Sequence, residues 1–75
     1  MIREHDMVAL TRDVPEIGLK AGAMGAVVHI YPRAVAYEVE FNNPPAGNAF
    51  VTQTLQAADV RPLTKRELAR VRVDA

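Results

Sequence analysis

The chain reads as all-β, a small barrel of five short strands with little helix. Three observations point there. Residues 35–41, Val-Ala-Tyr-Glu-Val-Glu-Phe, alternate without a break, the period of a strand with one buried face. Residues 18–31 pass from a glycine-spaced approach into the apolar run Ala26-Val-Val-His-Ile-Tyr31, whose β-branched residues favour a pleated strand. Clusters of Pro, Gly, Asn and Asp at 13–22 and 42–48 cut the chain into short pieces, as turns do.

The first strand is expected over Asp6–Arg12, with Val8 and Leu10 on one face and Met7, Ala9 and Thr11 on the other. Residues 13–22 form a loop, long for so small a domain, from which Ile17 and Leu19 tuck back as plugs. Gly25–Tyr31 is the second strand, with His29 facing opposite to Val28 and Ile30. Pro32-Arg-Ala34 turns the chain into a third strand, Val35–Phe41, with Val35, Tyr37, Val39 and Phe41 inward and Ala36, Glu38 and Glu40 outward. After the Asn42–Asn48 turn, Ala49–Leu55 is the fourth strand, Val51 and Leu55 facing one way and Phe50, Thr52 and Thr54 the other. Gln56–Asp59 reads as a tight 3₁₀ turn, and Val60–Leu63 as a last strand that Pro62 confines to an edge or an end.

Thr64 followed three residues later by Glu67 is a capping-box pattern. Leu68 and Val71 share one helical face, so one or two helical turns are expected, fraying before Ala75. The whole order is that of an SH3-like barrel, in which closure removes the exposed edges of short strands. The expected division is a barrel domain at 1–63 and a basic C-terminal tail at 64–75, helical or frayed.

At 75 residues the chain is one domain and buries only about 60% of its unfolded surface. It has no cysteine, so no disulfide supports it, and self-association or a protein partner is the expected source of added stability. Nine basic and nine acidic residues balance, which argues against a general nucleic-acid binder. Residues 1–60 hold four cations against seven carboxylates, and residues 61–75 hold five against two. The body is mildly acidic and the tail basic. No apolar run is long enough for a membrane span, and Met1–Asp6 has no secretory pattern, so a cytoplasmic location is expected.

The residues offer little chemistry. His5 and His29 are the two imidazoles; His5 beside Glu4 and Asp6 is not a metal cluster, because successive strand residues face opposite ways. Glu38 and Glu40 share a face, but paired carboxylates do acid–base work only in a desolvated cleft. There is no serine. Gly18, Gly22 and Gly25 lead into a strand rather than a helix, so they form neither a phosphate loop nor a dinucleotide fingerprint. No catalytic activity, metal or cofactor is expected.

The stretch Asp6–Tyr31, then Ala36-Tyr-Glu-Val-Glu-Phe41 and Asp59-Val-Arg-Pro-Leu63, resembles a family of very short bacterial proteins of unknown function, the DUF4926 type, over about residues 1–65. That resemblance implies an SH3-like fold and a small free-standing protein encoded beside another small gene, hence a protein partner in an antitoxin-like pair. Gly22–Val27 is also similar to the glycine-led strand of KOW modules, and Thr11–Val27 to the SH3-like part of the nitrile hydratase β subunit, a scaffold for a metal site held elsewhere. The leading expectation is a protein-interaction module. Its contacts are His29, Arg33, Tyr37, Glu38 and Glu40, with loop 13–23 beside them. The alternative is a ribosome- or nucleic-acid-associated module using the basic tail from Arg61 to Arg72.

Overall fold

The computed structural model describes residues 1–42 and 50–74, with side chains to residue 71. Five antiparallel strands form one sheet: β1 (Met7–Leu10), β2 (Met24–Ile30), β3 (Ala36–Asn42), β4 (Phe50–Gln56) and β5 (Val60–Pro62), followed by helix α1 (Lys65–Asp74). Their order is β4-β3-β2-β1-β5. The outermost strands β4 and β5 are nevertheless joined by the 3₁₀ turn Ala57–Asp59 alone. In a flat sheet those edges would lie about 19 Å apart, whereas three 3₁₀ residues advance only about 6 Å. The sheet must therefore curl until its two edges meet at this corner.

The corner is fastened from β1. Thr11 N donates to Asp59 O at 2.9 Å and Thr11 Oγ1 to Ala58 O at 2.8 Å. Arg12 Nε and Nη2 donate to the two Asp59 carboxylate oxygens at 3.0 and 3.3 Å. The Arg12 bond holds the Asp59 carboxyl below the usual range against the opposing effect of burial, with help from the Gln56 backbone N–H.

The inside of the curl is filled by Val8, Leu10, Val14, Val27, Tyr37, Val39, Phe41, Leu55 and Val60, with Ile2, Ile17, Leu19, Ala23 and Ile30 packed around them. The alternation of β3 places Tyr37, Val39 and Phe41 there as expected. Val14 is wholly buried while Ile17 and Leu19 are only half-buried. The plug of the first loop is therefore Val14, clamped by paired bonds between Val14 and Leu19 (2.8 and 3.2 Å) and closed by Gly18 at φ 71°.

Four local expectations are corrected. The first strand is shorter than Asp6–Arg12, and Ala9 is as buried as Val8 and Leu10. Val35 lies in the turn and is exposed, whereas Ala36, expected outside, is buried. A bulge in β2 falls at Val28: Val27 pairs with Val39 and His29 with Glu38. The inserted residue turns both Val28 and His29 outward, instead of to opposite sides. Helix α1 runs through ten residues, beyond the expected one or two turns. Its capping box is present, Thr64 N donating to Glu67 Oε1 at 2.9 Å and Glu67 N to Thr64 Oγ1 at 3.1 Å. The expected turn at 42–48 lies, beyond Asn42, outside the described residues.

Candidate functional site

The side chains singled out in the sequence gather at the β2–β3 hairpin. Tyr31 N donates to Ala36 O at 3.1 Å and Val35 N to Pro32 O at 3.4 Å. Within the connection 31–35, Arg33 (φ 62°) and Ala34 (φ 54°) are the central residues of the Pro32–Val35 turn. Positive φ at both central positions is type I′ geometry, which normally selects Asn-Gly because a Cβ is strained there. Arg-Ala occupies it here, and the sharp reversal sets Tyr31, Pro32 and Val35 around a groove.

That groove has a volume of about 610 Å³ and is lined by Tyr31, Pro32, Arg33, Val35, Ala36 and Thr54. Its lining is mainly apolar, with Val35 57% exposed. Glu38 is half-buried and is held by two of the lining residues, accepting hydrogen bonds from Tyr31 Oη at 3.2 Å and from the Thr54 hydroxyl. His29 packs edge-on against Tyr31, ring centroids 4.7 Å apart, and is the cross-strand neighbour of Glu38. Glu40 lies two residues along on the same face, opposite Ala26 and Thr52.

His29, Glu38 and Glu40 thus share one outward face, with Arg33 at the turn beyond them. Tyr37 points the other way into the core and is 6% exposed, so it presents no surface to a partner. Tyr31 and Thr54 belong to the site and were not singled out in the sequence. Tyr31 closes an apolar run, and its reach back to Glu38 depends on the hairpin register. Thr54 arrives from β4, and only its pairing with Glu38 brings it there.

Loop 13–23 is not part of this face. Its base is bonded to Leu10, through Leu10 N to Ala23 O (2.9 Å) and Gly22 N to Leu10 O (2.8 Å). It therefore sits at the Met24 end of β2, while the groove lies beyond Ile30. The seven residues of β2 hold the two about 20 Å apart along the strand. Asp13 Oδ1 accepts the Ala21 N–H at 2.9 Å, so this carboxylate serves the loop itself.

Chemically, the hairpin face offers an apolar groove beside an aimed carboxylate. Among the described residues no group of three or more His, Cys, Asp or Glu side chains is placed to hold a metal ion. No helix among them is long and apolar enough to cross a membrane. Residues 4–62 match the family model described as Domain of unknown function (DUF4926). The chain belongs to this family. The DUF4926 match runs from before β1 to the end of β5 and stops short of α1. The groove and the fastened corner therefore lie within it. No curated protein and no solved structure matches the chain.

Proposed function

We propose that this protein is a non-catalytic interaction module that binds a protein partner on the outer face of the β2–β3 hairpin. The single observation that carries the reading is the apolar groove two of whose lining residues, Tyr31 and Thr54, hold the Glu38 carboxylate in place. Glu40 extends the negative charge along the same face. The segment this chemistry accepts places an apolar side chain against Pro32 and Val35 and a Lys or Arg on Glu38 and Glu40. A carboxylate fixed before binding loses less side-chain freedom on association. The partner we infer is the product of the neighbouring small gene, in an antitoxin-like pairing.

The test is co-expression with that product and pull-down, comparing the native chain with the Glu38→Lys/Glu40→Lys double variant, circular dichroism reporting the fold. Recovery is expected to fall at least tenfold with the fold retained. Unchanged recovery overturns the reading.

A second reading rests on the cations of α1, where Lys65, Arg66 and Arg70 are exposed and Arg66 and Arg70 lie one turn apart. A nucleic-acid module would show binding that weakens steeply with salt and vanishes when residues 64–75 are deleted. Absence of binding at low salt removes this reading.

A further inference from the structure

The sheet's two edges are treated very differently. β5 has three residues, ends in Pro62, and carries Arg61, which is tied to Glu67 of α1 by bonds of 2.8 and 3.0 Å. Shortness, proline and charge are the usual defences of an exposed edge. β4 has none of them. It pairs with β3 through seven successive residues without a bulge, and Phe-Val-Thr-Gln-Thr-Leu-Gln contains neither charge nor proline.

Hydrogen-bond parity shows which groups this edge offers. Ala57 N donates to Val35 O at 3.1 Å, so the β4 residues bonded to β3 are those in step with Ala57, namely Leu55, Gln53 and Val51. The backbone N–H and C=O groups of Phe50, Thr52 and Thr54 therefore point away from β3. At Thr52 and Thr54 they meet no other element among the described residues. At Gln56 the outward N–H is met by Asp59 Oδ2 at 3.2 Å, which stops the free edge there. The groups left open call for another strand.

We propose that this strand is β4 of a second copy, paired antiparallel about a two-fold axis through Gln53. The sequence of β4 is close to a palindrome about that residue, so the register of full overlap sets like beside like. Gln53 meets the second copy's Gln53, Thr52 meets Thr54, and Val51 meets Leu55 on the inner face. Threonine pairs are favourable cross-strand neighbours, and the outward-pointing Thr52 and Thr54 fall on the hydrogen-bonded rungs, exchanging four backbone bonds. Charge complementarity agrees: an uncharged strand meets an uncharged strand, and the carboxylates of β3 stay one strand back on either side. The result is one continuous sheet of two five-stranded halves. An edge contact falls at the small end of interface sizes, so association is expected to depend on concentration.

The test is sedimentation velocity of the full chain over a concentration series, with Thr52→Pro, Thr52→Lys and single-cysteine variants. The chain has no cysteine, so Gln53→Cys introduces one thiol per copy. The geometry predicts Cα atoms about 4.5 Å apart at a non-hydrogen-bonded pair, within disulfide reach, and oxidation should yield a covalent dimer. Thr52→Cys, diagonal across the axis, should cross-link at least tenfold more slowly. Thr52→Pro removes an outward N–H without touching the β3 ladder and should weaken dimerisation at least tenfold; Thr52→Lys, which keeps the backbone donor, should weaken it through like charge near the axis. A monomer at every concentration overturns the proposal. So does a dimer unaffected by both Thr52 variants, or faster cross-linking at Thr52→Cys than at Gln53→Cys. Thr52 does not line the groove, so a chain that dimerises but captures no partner refutes the groove reading alone.

Discussion

Gly25 sits directly beneath the ring of Phe41: a Cβ at Gly25 would lie 2.7 Å from Phe41 Cδ1 and 2.8 Å from the Glu40 carbonyl oxygen. Neither can yield easily, since the ring is buried in the core and the carbonyl belongs to β3. Gly25→Ala is expected to destabilise the fold by about 2–3 kcal/mol. For a domain of this size that is a fall of roughly 10–20 °C in melting temperature, measured by thermal unfolding. Loss of less than about 0.5 kcal/mol would show that the ring can shift aside. Gly22, at φ 92° with open space around the same position, resists substitution through backbone strain instead.

The hairpin loop gives a prediction of opposite sign. Ala34 holds φ 54°, a left-handed conformation that costs a Cβ-bearing residue about 1–2 kcal/mol. Glycine removes that strain and returns part of the gain as unfolded-state entropy. Ala34→Gly should therefore stabilise the protein by about 0.5–1 kcal/mol, read as a higher urea midpoint at unchanged slope. A lower midpoint would mean that the turn is not under strain.

Val14 is fully buried although it lies between Asp13 and Pro15 in the first loop. Val14→Ala removes two methyl groups and leaves a cavity, at about 2 kcal/mol. The same measurement on Thr52→Ala, at an exposed position, should change stability by less than about 0.5 kcal/mol. Equal losses at the two sites would contradict the packing described.

Acid should loosen α1. The bond from Arg61, together with the Thr64 backbone N–H, lowers the Glu67 carboxyl from its ordinary 4.5 to about 2. A folded value below the unfolded one gives a contribution that is complete above pH 4.5 and is lost as pH falls towards 2. Helical circular dichroism should therefore decline across that window before global unfolding. Arg61→Met should move the Glu67 titration, followed by NMR, back towards 4.5. A titration that stays near 2 would locate the cause elsewhere.

Much of this fold is written locally. The alternation at 37–41, the threonine–glutamate spacing at 64–67 and the turn chemistry at 56–59 each act within a few residues, and each appears where the sequence puts it; the alternation is lost at the turn, where Val35 is exposed and Ala36 buried. The candidate site was legible in half. Glu38 and Glu40 could be assigned to an outer face by parity, whereas His29 reaches that face only through the bulge at Val28, and Tyr31 and Thr54 come to Glu38 through strand register. Tyr37 was legible as core from the same parity that put Val39 and Phe41 there.

The sequence by itself determined the class, the strand count, the position of the first loop and the absence of a cysteine or serine chemistry, because composition and period-two patterning are properties of short segments. Only the tertiary structure decided the rest. Pairing of β1 with β5 joins residues about fifty positions apart, and that contact, not any local signal, curls the sheet and buries Ala9 and Val14. The bulge at Val28 arises from how β2 meets β3. The separation of loop 13–23 from the hairpin groove follows from the length of β2. The open edge of β4 likewise exists only once the order of the strands is set.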